Sequence, residues 1–194
     1  MKSSAILHYD VLVIGSGLAG QSLALRLAES RRVALVTKLN LENTATAWAQ
    51  GGIAAVMDEA DSVNSHINDT LTAGAGLCDA KATRYVVEHG RAAVEWLIDQ
   101  GVPFTRDDSN TGFHLTREGG HSQRRIIHAA DATGAAVQHT LTEKVRAHPN
   151  IDVLERHVAI DLITSTQWST ARIPLESRSQ SGVALSSSAS RITP

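Results

Sequence analysis

The sequence predicts an α/β protein with a Rossmann-like, dinucleotide-binding βαβ fold, and three neighbouring segments carry this prediction. Residues 9–14, YDVLVI, are apolar except for Asp10 and are typical of a strand that is buried on both faces. They run directly into the glycine pattern GSGLAG at residues 15–20. A helical pattern to Ser30 and a second apolar strand at residues 32–37 then complete a unit of about 30 residues, the size of a βαβ crossover.

The glycine pattern has a physical purpose where a strand meets a helix. Gly15 permits the tight turn, Gly17 lets the backbone approach a pyrophosphate, and Gly20 lets the helix pack closely on the strand. The N-terminus of the helix then faces the phosphates. The context therefore favours dinucleotide binding over a purely structural turn.

The residue after the second strand leaves the dinucleotide undecided. An Asp or Glu is expected there to bond the adenosine ribose. The sequence has Thr37 and Lys38 instead. Lys38 favours a phosphate-bearing ligand such as NADP, or it places its ammonium on ribose or pyrophosphate oxygens of another dinucleotide.

The rest of the chain contains further helices and strands in a predicted order. Small polar residues at 44–52 predict a loop. Apolar residues at three- and four-residue spacings predict an amphipathic helix over 83–100, which Gly101 ends. A further helix and two short strands are predicted at 134–147, 151–154 and 158–164.

Composition excludes several classes of partner. The 194 residues suit one domain, and a net charge of −2 gives no general attraction to nucleic acid or an anionic membrane. The longest apolar runs are too short to span a bilayer. Cys78 is the single cysteine, so no intramolecular disulfide forms. Together with the absence of a signal-peptide pattern, this predicts a cytoplasmic protein.

Residues 45–55, ATAWAQGGIAA, form a second glycine loop whose backbone can approach a flat ligand. This loop and the blocks AGAGLCD, WLIDQGVPF, HLTREGGHSQRRIIHAADATG and NIDVLER resemble the L-aspartate oxidase family. That family lies within the succinate dehydrogenase and fumarate reductase flavoprotein group. The resemblance covers residues 9–164, and REGGHS is highly specific to the family.

The resemblance implies FAD as the cofactor, without a metal. Family members also lack an acidic residue at the position of Lys38, so this lysine no longer argues for NADP. Respiratory members attach FAD covalently through a histidine where this chain has Ala45, so the resemblance implies non-covalent FAD. The matching FAD positions are Gly15, Ser16, Gly17, Leu18, Ala19, Gly20, Lys38, Thr46, Ala47, Trp48, Ala49, Gln50, Gly51, Gly52 and Val158.

The charged loop REGGHSQRR at residues 117–125 suits a ligand that carries both charges. Glu118 matches the family glutamate that orients the substrate amino group through charge-assisted hydrogen bonds. The alternative for Glu118 is a simple pair with an arginine. His121 is a candidate for carboxylate binding or an ordinary loop donor, whereas Arg124 and Arg125 are expected to be structural or surface charges.

Other residues around these motifs have simpler interpretations. His128 and Asp131 are expected to organise the start of the following helix, with Asp131 or Thr133 as its cap. Trp48 is expected to pack near the flavin or to fill the core. Cys78 is expected to be an inert core residue.

The function implied by the resemblance is oxidation of L-aspartate to iminoaspartate, with electrons passing to dioxygen or fumarate. This is the first step of de novo NAD biosynthesis, and quinolinate synthase is the implied partner. Family members are much longer, with further substrate-binding residues downstream. Residues 1–167 are therefore expected to be the N-terminal part of an incomplete FAD-binding domain, inactive alone.

Residues 168–194 contain eight serines and no apolar period, which predicts a disordered or aberrant tail. The alternative function is a non-catalytic flavin-binding remnant or interaction module. A weaker alternative is an NADP-dependent reductase that uses Lys38.

Overall fold

The computed structural model describes residues 7–109, 112–163 and 182–187. Its described residues form two compact units. The first unit contains the residues up to Thr44 and those from Leu141 onwards, and the second unit contains Ala45–Thr140. The predicted boundary after residue 167 lies outside the described residues, as does most of the segment 168–194. That boundary therefore remains a prediction, and so does disorder of the tail outside residues 182–187, which form a strand.

The described elements alternate between strands and helices. The strands are β1 (Val11–Ile14), β2 (Val33–Thr37), β3 (Ile53–Ala54), β4 (Leu115–Thr116), β5 (Ile126–Ile127), β6 (Ile151–Glu155), β7 (His157–Ile163) and β8 (Gly182–Ser187). The helices are α1 (Leu18–Ala28), α2 (Ala45–Trp48), α3 (Val63–Ala73), α4 (Ala80–Asp99) and α5 (Thr133–Ala147). Within the described ranges, no helix is long and apolar enough to cross a membrane.

A parallel three-stranded sheet organises the first unit. Its strand order is β1-β2-β6, and β1 pairs with β2 from Val11 opposite Val33 to Ile14 opposite Val36. All five residues of the central strand β2 are buried, as its continuous apolar sequence predicts. Helix α1 connects β1 to β2, so the predicted βαβ unit is confirmed. In the same unit, β7 and β8 form a separate antiparallel pair.

Helix α1 buries one narrow face. Its buried residues are Gln21, Ala24, Leu25 and Ala28, and two of them, Ala24 and Ala28, have no solvent-exposed surface. Such small side chains allow the helix backbone to come close to its neighbours. Leu23 is 49% exposed, whereas Leu25 is buried.

Short antiparallel strands and longer helices build the second unit. The sheet order is β3-β5-β4, with Ile126 and Ile127 of the central strand buried. Helix α4 was predicted from residue 83 but begins at Ala80, because the Asp79 carboxylate accepts a hydrogen bond from the Ala82 amide at 2.7 Å. The helix ends before Gly101, whose φ of +92° is the left-handed geometry of a helix C-terminus.

The predicted loop at 44–52 is partly wrong, because α2 forms one helical turn within it. A hydrogen bond from the Ala49 amide to the Thr46 carbonyl at 3.1 Å closes this turn. Trp48 is 78% exposed, so its interpretation as a core-filling residue is wrong. Cys78 is only half-buried, and its thiol donates to the Thr70 carbonyl at 3.7 Å.

Candidate functional site

The glycine turn of the first unit depends on two glycines for its shape. Gly15 has a φ of +110°, which disfavours any residue with a side chain, and the space beside its α-carbon is open to at least 4 Å. Its amide donates to the Val36 carbonyl at 2.8 Å, which ties the turn to β2. A side chain at Gly20 would collide with the Gly15 carbonyl oxygen. The helix can therefore start this close to the strand only with glycine at position 20.

The side chains of the turn point to local partners and leave the helix start uncapped by a side chain. Gln21, fully buried, donates from Nε2 to the Ser16 carbonyl at 2.8 Å and to the Thr142 hydroxyl at 3.2 Å. Ser16 Oγ donates to Thr37 Oγ1 at 2.9 Å. Gly17, the N-cap of α1, makes no side-chain capping bond. The open Gly15 and the uncapped helix dipole fit the diphosphate of a dinucleotide.

Two more predicted cofactor residues lie at the same sheet edge. Lys38 is exposed and follows the last residue of β2. Val158 is 43% exposed and lies three residues after the end of β6. Because β1, β2 and β6 are parallel, their carboxyl ends share one edge with the glycine turn, which is where ligands bind such sheets. Their contact with FAD remains a prediction.

The loop after β2 is fixed by charged side chains of the first unit. Glu155 accepts a hydrogen bond from the Leu41 amide at 2.8 Å, and Arg146 donates to the same carboxylate at 2.9 Å. Arg146 also bonds Glu42 at 2.8 Å, and this bond is the main cause that lowers the pKa of Glu42. The segment that follows Lys38 is therefore anchored at Leu41 and Glu42.

The second glycine loop, with the predicted flavin contacts Thr46 to Gly52, belongs to the second unit. A side chain at Gly52 would overlap the Ile126 side chain and the Ile127 carbonyl oxygen, both 2.5 Å from the added carbon. Gly134, near the start of α5, packs so tightly that a side chain would collide with the Thr46 carbonyl oxygen. Its amide donates to the Ala49 carbonyl at 2.9 Å. These two glycines fix the loop's path.

The charged loop begins with a glycine turn. The His121 amide donates to the Glu118 carbonyl at 3.2 Å, and Gly120 has a φ of +84°. A positive φ at the third position is the geometry of a type II turn, which glycine favours. A side chain at Gly119 would meet no atom within 4 Å. The turn thus presents open backbone between Glu118 and His121.

A buried arginine anchors the other end of this loop. Arg125 has no exposed surface and binds Asp61 through two hydrogen bonds of 2.8 Å. It also donates to Asp69 at 2.6 Å and to Ser65 Oγ at 3.1 Å. A fifth contact of 3.4 Å joins Nη1 to His121 Nδ1. The expectation that Arg125 is structural therefore fits these contacts, and its N–H groups are taken up by protein partners.

Asp69 ties the loop to helix α3. Its Oδ2 accepts hydrogen bonds from the Ser122 amide at 2.8 Å and the Ser122 hydroxyl at 2.7 Å, as well as from Arg125. The two bonds from Ser122, followed by those of Arg125, lower the pKa of Asp69 to about 2. Burial would raise the pKa of Asp61, but hydrogen bonds from Arg125 and the Ser62 amide lower it. Both carboxylates therefore carry charge at neutral pH.

The carboxylate of Glu118 differs from these aspartates. It is exposed and makes no hydrogen bond or ion pair with another residue in the described part of the chain. Arg125 is committed to Asp61 and Asp69, and Arg124 donates to the Leu115 carbonyl at 3.2 Å. The structure therefore gives no support to the simple Glu–Arg pair, and Glu118 is open to a cationic ligand.

Two histidine rings lie close together near the buried arginine. The ring of the buried His66 lies 5.6 Å from that of His121. Burial is the main cause that lowers the pKa of His66, followed by the positive charge of Arg125 and by His121. His66 Nδ1 is buried without a hydrogen-bond partner in the described residues. His66 is therefore neutral at physiological pH.

Local hydrogen bonds hold the residues before α5, and the cap predicted from Asp131 or Thr133 stays a prediction. Thr133 Oγ1 accepts a hydrogen bond from the Ala129 amide at 3.1 Å. His128 Nε2 lies 2.9 Å from His114 Nδ1, and its own Nδ1 lies 3.3 Å from the Ala130 carbonyl oxygen. This end of the short sheet carries Gly52, whereas the charged loop leaves from the opposite end. The second glycine loop and the charged loop still meet beside the short sheet, because the Ala55 amide donates to the Arg125 carbonyl at 2.9 Å.

Sequence reasoning missed four residues that shape these loops: Asp61, Asp69, His66 and Gly134. A partial signal was present for Asp69, because Ser65 and Asp69 are four residues apart and so share one face of α3, whereas Asp61 precedes the N-cap Ser62. Nothing in the sequence told which residue of that face meets Arg125. Gly134 is the last residue of the block HLTREGGHSQRRIIHAADATG. Its role depends on the path of the second glycine loop, which lies more than 80 residues earlier in the chain.

Comparison with known families supports the predicted cofactor class. Residues 10–191 match a family model described as an FAD binding domain. The chain belongs to the FAD-binding domain family. The predicted fold class is confirmed, and FAD is confirmed as the cofactor that the family binds. The uncapped helix start and the open Gly15 are the structural features of this chain that fit it.

Individual relatives confirm the resemblance seen in the sequence. The chain is 64% identical over 162 residues to L-aspartate oxidase 1 of Ralstonia nicotianae, covering 83% of this chain and 30% of that protein. It is 59% identical over 165 residues to L-aspartate oxidase of Pseudomonas aeruginosa, covering 81% and 31%. A solved variant of E. coli quinol fumarate reductase is 30% identical with a TM-score of 0.75, covering 81% and 27%. The chain thus spans about a third of the length of these relatives.

Proposed function

We propose that this chain forms the FAD-binding and ammonium-orienting part of a flavoenzyme that oxidises L-aspartate to iminoaspartate. The observation that carries the proposal is the exposed Glu118 carboxylate, which has no described partner and sits on an open glycine turn. The similarity to proteins named L-aspartate oxidase supports this substrate. In this proposal the electrons pass to dioxygen or fumarate, and the imine passes to quinolinate synthase. The proposed location is the cytoplasm.

The protein's part in this chemistry is orientation. An aspartate ammonium beside Glu118 forms charge-assisted hydrogen bonds, each stronger than a bond between neutral groups. Succinate lacks the ammonium and would leave the carboxylate without that partner, so Glu118 discriminates between the two ligands. FAD, when bound, supplies the two-electron oxidant for the Cα–H bond. Ala45 has no nucleophilic atom, which supports non-covalent binding of the cofactor.

The test compares two ligands in two forms of the chain. With FAD added, L-aspartate and succinate are titrated against the wild-type chain and against Glu118→Gln by calorimetry. Glutamine keeps the shape but loses the charge, so the affinity for L-aspartate should fall about 10- to 100-fold, the range of a hydrogen bond to a charged group. The affinity for succinate should stay the same or rise. An equal loss for both ligands would contradict the role of Glu118.

A second candidate function is a non-catalytic flavin-binding module. The chain spans about 30% of the length of the relatives it matches, so their activity is a proposal for this chain. The two functions differ in turnover. Peroxide that appears when L-aspartate is added to the FAD-loaded chain in air supports the enzyme, whereas bound FAD without bleaching or peroxide supports the module. Release of FAD at the same rate with and without L-aspartate would further favour the module.

A further inference from the structure

The contact between Arg125 and His121 determines where the imidazole carries its proton. Arg125 Nη1 lies 3.4 Å from His121 Nδ1. A guanidinium only donates hydrogen bonds, so Nδ1 must be the acceptor. In a neutral imidazole the single proton then resides on Nε2. His121 is therefore a donor on the side of the ring away from Arg125.

The surroundings hold this arrangement in place. Arg125 is fixed by Asp61, Asp69 and Ser65 and has no exposed surface, so its guanidinium cannot turn away. His66 lies beside the imidazole, with the two ring planes at 59°. Ser122, which follows His121 in the chain, donates two hydrogen bonds to Asp69. The backbone of the loop and the ring are thus both restrained.

Glu118 and His121 occupy the two ends of one type II turn. The α-carbons at the ends of such a turn are less than about 7 Å apart. One end offers a carboxylate without a described partner, and the other offers a fixed N–H donor. An α-amino acid carries an ammonium and a carboxylate on one carbon, so one small ligand can engage both ends.

We propose that His121 binds a carboxylate of the substrate through its Nε2–H while Glu118 binds the ammonium, and that Arg125 is the positioning residue that fixes this tautomer. The ligand class is an α-amino acid, and the choice of L-aspartate rests on the function proposed above. Arg125 itself does not touch the ligand. Its guanidinium donates a hydrogen bond to His121 Nδ1, so Nδ1 acts as the acceptor and carries no proton. The proton of the neutral imidazole then lies on Nε2, which is the donor.

The tautomer is measured directly and without any substrate. The FAD-loaded chain is labelled with ¹⁵N-histidine, and long-range ¹H–¹⁵N spectra near pH 8 are assigned with His121→Gln. We expect His121 to carry its proton on Nε2. His89 is the internal control, because its Nδ1 lies 2.7 Å from the Tyr85 carbonyl oxygen, which only accepts, so it should carry its proton on Nδ1. A His121 spectrum like that of His89 would overturn the proposal.

The positioning role is tested with Arg125→Lys, in which a single ammonium replaces the planar fork. We expect the His121 signal to become a mixture of both tautomers while the His89 signal is unchanged. A Nε2–H signal that stays pure in a folded Arg125→Lys chain would overturn the role of Arg125. If this variant does not fold, the same measurement is made on Ser65→Ala, which removes one restraint on the guanidinium. A His121 signal that stays purely Nε2–H in that chain would overturn the role.

The carboxylate role is tested by L-aspartate affinity. Glutamine at position 121 retains an N–H donor, so His121→Gln should bind within about threefold of the wild-type chain, whereas His121→Leu should lose about tenfold or more, the value of one hydrogen bond to a charged group. Equal affinities for the leucine and wild-type chains, with Glu118→Gln still impaired, would refute only the histidine role. No L-aspartate binding by the wild-type chain, with the tautomer as expected, would refute the proposed function and with it the ligand.

Discussion

The glycine turn at residues 15–20 and the charged loop at residues 117–125 both follow a strand and both contain glycines, but they are built differently. In the turn, backbone amides and a helix N-terminus form the site, and the side chain of Ser16 bonds a residue only 21 positions away. In the loop, side chains would form the proposed site, and the aspartate partners of Arg125 lie 56 to 64 positions away. A backbone site is therefore visible in a short motif, whereas a side-chain site depends on the tertiary fold.

The largest expected effect comes from removing the buried cation of the charged loop. Arg125→Met leaves Asp61, which is 2% exposed at its side chain, without its partner. Breaking one side of a buried ion pair costs about 3–5 kcal/mol of unfolding free energy. Urea unfolding followed by circular dichroism measures this loss.

Arg124→Met is the matched control in the same loop. Arg124 is exposed and bonds one backbone carbonyl, so its replacement should change the unfolding free energy by no more than about 0.5 kcal/mol. Equal losses for the two arginines would mean that the ion pairs of Arg125 do not stabilise the loop. The comparison of Arg125→Met with Arg124→Met isolates the effect of burial on the unfolding free energy, because both changes replace an arginine with methionine.

The glycine turn should fail through its backbone. In Gly20→Ala the added carbon would overlap the Gly15 carbonyl oxygen, so α1 must move away from β1. Overpacking of this kind costs about 1–3 kcal/mol, and the displaced helix should also bind FAD more weakly. Thermal unfolding and quenching of FAD fluorescence measure the two effects.

Gly51→Ala is the control for that change, because no atom lies within 4 Å of the added carbon. Its stability should equal that of the wild-type chain or slightly exceed it, since alanine has less conformational freedom in the unfolded chain. A Gly20→Ala chain that is as stable as Gly51→Ala would show that the close approach of α1 to β1 is not required.

The sequence predicts the regions made by backbone better than those made by side chains. The βαβ unit, its glycines and helix α4 follow from local patterns, and the structure confirms them. Helix α2 and the exposure of Trp48 were not predicted, because short polar segments carry little periodicity. The roles of Asp61 and Asp69 were not predicted either. Asp69 lies in α3 and Asp61 lies just before its N-cap Ser62, and neither position identifies Arg125 as the partner.

A smaller effect is expected from the pH dependence of the charged loop. The folded pKa of Asp69 is about 2, below the ordinary value of about 3.9 in an unfolded chain. A lowered pKa stabilises the fold fully above the unfolded value, and this stabilisation is lost as the pH falls from about 4 through about 2. Asp69→Asn lacks this contribution. The difference in stability between the two chains should therefore be constant above pH 4 and shrink toward pH 2.

Acid unfolding in urea at several pH values between 2 and 6 measures this difference. Asp58→Asn is the control, because Asp58 is exposed and bonds only neighbouring backbone in the described residues. A difference between wild type and Asp69→Asn that does not change with pH would mean that the hydrogen bonds of Ser122 do not favour the ionised carboxylate. Residues 15–20 contain no carboxylate. The difference in stability between the wild-type chain and Gly20→Ala should therefore not change between pH 4 and pH 2.

The smallest effect separates the two kinds of helix start. Helix α3 has a side-chain cap, in which Ser62 Oγ accepts from the Ser65 amide at 3.1 Å, whereas Gly17 gives α1 none. Ser62→Ala should cost about 1 kcal/mol, and Gly17→Ser should stabilise the chain without FAD by a few tenths of a kcal/mol at most. The new hydroxyl at position 17 would compete with the diphosphate for the helix amides, so FAD affinity should fall in Gly17→Ser but not in Ser62→Ala. Unchanged FAD affinity in Gly17→Ser would mean that the phosphates do not bind this helix start. Reduced FAD affinity would show that the uncapped N-terminus of α1 is part of the binding site.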